Sequence, residues 1–107
     1  MPEELAHPAP EAMELGAIFA ALADPLRRQV VLTLAAEPGA VIPCGGFALP
    51  VAKATRTHHF RVLREAGLIR QVDLGNGRTN RLRLEELRQR FPALVELLLA
   101  EARRPPG

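Results

Sequence analysis

The sequence predicts a mainly α fold carrying a two-stranded β-wing, and two adjacent stretches predict it. Residues 53–69 read as one amphipathic helix. Phe60 and Leu63 lie three apart with His59 and Ala66 beside them, while Lys53, Ala54, Thr57, Arg61 and Arg64 point the other way. Gly67 follows, a residue that takes the left-handed conformation ending many helices. In the next stretch Val72 and Leu74, then Leu82 and Leu84, alternate with polar residues around Gly75-Asn76-Gly77. Alternation is the strand signature, and Asn-Gly is a strong hairpin signal because its turn needs positive φ. A basic helix running into a hairpin is the layout of a winged helix-turn-helix.

The other elements follow in chain order. Residues 1–10 hold three prolines and no periodicity, and read as a flexible N-terminal arm. Leu15, Ile18, Phe19 and Leu22 recur at i, i+3, i+4 and i+7, which predicts a first helix over 11–23. Asp24-Pro25 supplies an N-cap and a first-turn proline for a second helix, with Leu26, Val30 and Leu34 inward and 37–39 ending it. Residues 40–52 contain two prolines and two glycines, leaving room for a turn of helix at most, anchored by Phe47 and Leu49. Ala52 offers no capping side chain for the helix after it, a loss of roughly 1 kcal/mol. After the hairpin, Leu87 marks a short helical turn. Pro92 opens a last helix striped by Leu94, Leu97 and Leu98, with Arg103-Arg104 at its end. The domain is expected to span 11–103, with a tail at 104–107. The terminal stripes serve either as plain core or as an interface between copies.

Charge is unevenly placed. Residues 53–83 hold eight Lys and Arg against Glu65 and Asp73, a net of +6, while the remainder is −4 and the whole chain +2. A slim helix tip with donors and cations suits the DNA major groove, where base edges offer hydrogen bonds and phosphates offer charge. An ordinary solvated surface helix is the alternative. Lys53, Ala54, Arg56, Thr57 and His58 are candidates for base or near-base contact, and Arg61, Arg64, Arg78 and Arg81 for phosphates, with Arg78 also near enough to the tip for the minor groove. With no Trp, no Tyr and four Phe, the chain lacks stacking platforms for single strands or RNA.

Two motifs resemble one family. Ala21-Leu22-Ala23-Asp24-Pro25-Leu26-Arg27-Arg28 is similar to the opening motif of ArsR/SmtB-type bacterial repressors, and residues 57–69 are similar to their recognition helix. The likeness covers roughly 14–99. It implies a homodimer joined through the first and last helices, with Leu15, Ile18, Phe19, Leu94, Leu97 and Leu98 at the interface. It also implies repression by binding an inverted repeat in double-stranded DNA, and the single cysteine points to a reducing cytoplasm. The weak segment at 40–52 departs from the family, whose members carry a clear helix there.

That departure bears on the effector. Metal-sensing relatives present paired cysteines on that helix, or Asp, His and Glu on the last one. Here Cys44 stands alone, and the last helix offers only Glu96 and Glu101, five apart. His58 and His59 point about 100° apart, so they cannot chelate together. No metal and no cofactor are expected, and the effector is an unidentified non-metal signal. Cys44 reads as a small buried apolar residue or as a redox switch flanked by glycines. His59 reads as a core-edge hydrogen-bonding residue or as a base reader. One cysteine excludes an internal disulfide, and no apolar run reaches membrane-spanning length. No nucleophile, base and orienting group assemble, and Cys44-Gly45-Gly46-Phe47 lacks the Lys-Ser/Thr of a phosphate loop, so no enzyme is expected. A winged-helix module that binds proteins instead of DNA is the other reading. The retained arginines weigh against it.

Overall fold

The computed structural model describes residues 3–105, so residues 1–2 of the expected arm and 106–107 of the expected tail lie outside the described residues. Five α-helices accompany a four-stranded antiparallel sheet. In chain order these are β1 (Glu3–Glu4), α1 (Leu15–Ala23), α2 (Pro25–Ala36), β2 (Ile42–Pro43), α3 (Lys53–Ala66), β3 (Ile69–Asp73), β4 (Arg78–Leu82), α4 (Leu84–Arg90) and α5 (Pro92–Ala102). Two 3-10 turns, Pro10–Ala12 and Cys44–Phe47, complete the chain. The sheet order is β1-β3-β4-β2. The predicted two-stranded wing is therefore the centre of a wider sheet, with a two-residue strand added at each edge.

The first of these edge strands changes the account of the N-terminus. The expected loose arm lies along the wing, pairing Glu3 with Asp73 and Glu4 with Val72. The first helix starts at Leu15 rather than at residue 11, because Pro10 opens a 3-10 turn that ends at an extended Met13. Met13 is buried and packs against Gly67, where an added Cβ would meet its Cγ at 2.9 Å. Gly67 has φ +96° and closes α3, its N–H bonding to Arg64 O while Leu68 N–H bonds to Leu63 O. Only glycine satisfies both the backbone angle and the approach of Met13.

Val30, Val31 and Leu34 of α2, Phe60 and Leu63 of α3, Leu68 and Ile69 after it, and Leu87, Val95 and Leu99 of the last two helices form one core. Residues 40–52 hold a single 3-10 turn, as their prolines and glycines imply. Phe47 anchors it with its ring 5.5 Å from that of Phe60. The hairpin forms at the expected place by a different turn. Positive φ falls on Gly75 and not on Asn76 or Gly77, Leu74 N–H bonds to Gly77 O at 2.8 Å, and Asp73 Oδ1 accepts from Gly75 N–H. A glycine at the first central position is the pattern of a type II′ turn.

The strand phase also differs. The alternating apolar residues Val72 and Leu74 do not mark the inward face of β3: Leu74 is exposed and the inward residues are Ile69 and Gln71. On β4, Asn80 and Leu82 face inward, and Asn80 sits directly opposite Gln71. A polar pair thus occupies the core face of the wing.

Candidate nucleic-acid interface

The corner between α1 and α2 positions the basic helix. Asp24 caps α2, its Oδ1 accepting from Leu26 N–H at 2.8 Å and Arg27 N–H at 3.2 Å. Burial alone would raise the Asp24 carboxyl, but those two backbone donors and the nearby Arg27 charge outweigh it and hold the group below the usual carboxylate range. Arg27 and Arg28 turn back onto the end of α1: Arg27 Nε donates to Ala21 O and Arg28 Nη1 to Leu22 O, each at 2.9 Å. They satisfy carbonyls that a helix end leaves bare. Arg27 Nη1 also lies 3.3 Å from Nδ1 of the buried His59, tying the corner to α3. His59 therefore has the core-edge role and is not a base reader.

With His59, Phe60, Leu63 and Ala66 buried, α3 turns Ala54, Thr57, His58 and Arg61 to solvent. Their spacing of i, i+3, i+4 and i+7 places all four on one face. Beside that face, an open groove of about 650 Å³ runs between the start of α3 and the wing. Lys53, Arg56 and Thr57 line it from the helix, and Asp73 and Arg78 from the hairpin. Arg78 Nε is 3.4 Å from Asp73 Oδ2. Among the described residues Lys53, Arg56, Arg61 and Arg81 take part in no ion pair. The free cations Lys53, Arg56 and Arg61, gathered on one helix, form an electrostatic footprint for a polyanion.

Two of the expected phosphate contacts sit elsewhere. Arg64 is turned inward, its Nη1 donating to Gln71 Oε1 at 2.7 Å, and its Nε is buried without a partner among the described residues. Burial pushes its guanidinium below the ordinary value. It is a strut between α3 and the sheet. Arg81 is exposed on the wing face opposite the groove, across from Arg70, because it alternates with the inward Asn80 and Leu82. The interface residues divide in the same way. Leu15, Phe19 and Leu97 are 43, 55 and 64% exposed, whereas Ile18, Leu94 and Leu98 are buried in the chain's own core. Ile18 lies on the buried side of α1 with Ala21, and Leu94 and Leu98 belong to the inward stripe of α5 with Val95 and Leu99.

A buried polar network behind the groove was not anticipated. Gln71 Nε2 donates to Asn80 Oδ1 at 2.8 Å, and Asn80 Nδ2 donates to Ile42 O at 3.1 Å and to Cys44 Sγ at 3.3 Å. Gln71 Nε2 also points at Cys44 Sγ, 3.7 Å away. Cys44 is thus half-buried as an acceptor for two carboxamides and is not simply apolar filling. Below the wing, the buried Arg83 donates to Pro8 O at 2.8 Å and pairs with Glu86, whose carboxyl this hydrogen bond holds below its usual range. The available signal was Gln71 and Asn80 at matching hairpin positions. Among the described residues no three His, Cys, Asp or Glu side chains come together in a way that could hold a metal ion.

No family model matches the sequence, and no curated protein does. Solved structures do. The chain is similar to an ArsR family transcriptional regulator at 27% identity and a TM-score of 0.62, covering 94% of this chain and 100% of that one. It is also similar to an ArsR-like transcriptional regulator from Rhodococcus sp. RHA1 at 28% identity and a TM-score of 0.57, covering 81% of this chain and 78% of that one. The two motifs, the helix-then-wing order and these likenesses agree: the chain has a winged helix-turn-helix fold similar to that of ArsR family regulators.

Proposed function

We propose that this protein is a double-stranded-DNA-binding transcriptional regulator, a homodimeric repressor of an inverted-repeat operator. The observation that carries the reading is the exposed face Ala54, Thr57, His58 and Arg61 beside a groove lined by Lys53, Arg56 and Arg78. Thr57 and His58 are suited to base edges, and Lys53, Arg56, Arg61 and Arg78 to phosphates and guanine edges. Both similar proteins are transcriptional regulators, which supports the same role here and a non-enzymatic one.

Dimerisation would cover Leu15, Phe19 and Leu97, the exposed apolar side chains of α1 and α5. A two-fold axis presents the same patch twice and sets two recognition helices about 34 Å apart, one turn of DNA. The releasing signal in this reading is not a metal ion. Among the described residues no helix is long and apolar enough to cross a membrane.

The test is binding to a random duplex over a series of salt concentrations, together with sedimentation. A dimer whose affinity falls steeply with salt supports the reading. No binding at low salt, with the fold intact, would favour a protein-interaction module. A monomer at micromolar concentration would remove the proposed interface.

A further inference from the structure

Gln71 is fully buried, and each polar part of it is committed to a different element. Its side chain joins Asn80 of β4 and Arg64 of α3. Its backbone N–H points outward from β3, where it donates to His7 Nε2 at 2.9 Å. That bond requires an unprotonated Nε2, so the geometry admits only a neutral His7. Protonation would set one N–H against another at hydrogen-bond distance.

The charges around His7 act in the same direction. Arg70 faces it from β3, Arg83 from the link between β4 and α4, and Arg64 from α3. Glu86 of α4 pairs with Arg83 and lies 3.7 Å from Arg70, offsetting part of that field. A backbone hydrogen bond to Leu5 favours the protonated ring. Burial comes first and the arginines next in holding the His7 imidazole below its ordinary value, and together they outweigh Leu5. Among the described residues this segment is also tied by the short β1 pairing on β3 and by the bond from Arg83 Nη1 to Pro8 O.

We propose that residues 3–8 are a proton-operated clip: neutral His7 fastens the N-terminal arm to the wing at Gln71, and protonation of His7 releases it. Release strips the acceptor from Gln71 N–H and uncovers the edge of β3. It does so at the residue that also accepts from Arg64 of the recognition helix. The arm is thereby coupled to the geometry of helix and wing. The clip does not depend on the proposed function, and its test uses no DNA.

The experiment is amide hydrogen exchange by NMR on the full chain from pH 7.5 to 5.5, with protection corrected for the intrinsic pH effect. In the wild-type protein the protection of the Gln71 amide should fall by up to about tenfold per pH unit as pH drops from the ordinary 6.5 of a released His7 ring toward its lowered value in the clip. His7→Gln supplies a carboxamide oxygen that does not titrate, so its Gln71 protection should stay constant. His7→Ala should show low Gln71 protection at both ends of the range while Ile69 and Leu82 stay protected. If His7→Ala does not fold, the contrast between wild type and His7→Gln decides alone. Equal Gln71 protection at pH 7.5 and 5.5 would overturn the clip, as would the same fall in His7→Gln.

Discussion

Arg61 and Arg64 lie three residues apart on one basic helix, and the structure gives them different work. Arg61 is exposed and unpaired among the described residues, whereas Arg64 donates at 2.7 Å to the buried Gln71. Arg61→Ala should therefore remove a phosphate contact and leave the fold alone. Each lost contact lowers the log–log salt slope by about 0.9, or about 1.8 for a dimer, so a fourfold rise in salt should weaken the wild type roughly twelvefold more than the variant and narrow the gap between them. Arg64→Ala leaves Gln71 Oε1 buried without its donor, a cost of about 1–3 kcal/mol. Relief of Arg64's own burial, with its unpartnered Nε, places the net near the lower half of that range. A shift of about 5–10 °C in Tm should result for a domain of this size. Duplex-binding titrations at 50 to 200 mM salt and thermal melts of both variants make the comparison. If Arg64→Ala flattens the salt slope as much as Arg61→Ala and melts with the wild type, the inward strut is wrong.

Two further predictions concern the frame that presents the helix. Asp24→Ala should lower stability by about 1 kcal/mol at neutral pH through loss of the α2 cap. Because the folded carboxyl sits below its unfolded value, the unfolded state binds the proton first. The difference is therefore complete above the unfolded value of 3.8 and shrinks as pH falls through the folded one. Urea unfolding between pH 3 and 7 reads it, and a difference that grows toward acid contradicts the capping account. Gly67→Ala should cost about 1–2 kcal/mol for the left-handed angle plus about 1–3 kcal/mol for displacing Met13. Repeating the substitution with Met13→Ala should leave only the first part, so equal losses in both backgrounds would show that Met13 is not the obstacle.

The basic helix and its stop were legible, despite the missing cap at Ala52, because an apolar stripe and a glycine at its end agreed. Residues 40–52 were legible for the opposite reason, since two prolines and two glycines left nothing longer than a 3-10 turn to build. The wing was found, but on β3 the alternating apolar residues do not mark the core face. A period-2 reading assumes that the apolar residues face the core, and here Gln71 and Asn80 do, paired across the strands. Such a pair is tolerated because each carboxamide satisfies the other, with Ile42 O, Cys44 and Arg64 taking up the rest. None of those partners is near in sequence, so no local pattern announces them. The same holds for the arm. Its prolines mark it as lacking a helix, which is correct, but not as free, because Gln71 N–H and Arg83 hold His7 and Pro8 from more than sixty residues away. The residues that sequence reading assigned to DNA solely by charge were the ones most exposed to this error. Arg64 is the case in point: read as a phosphate contact, it is bound inward, as is Arg83, which only added to the charge of that region, and only the placement of Gln71 and Glu86 shows why.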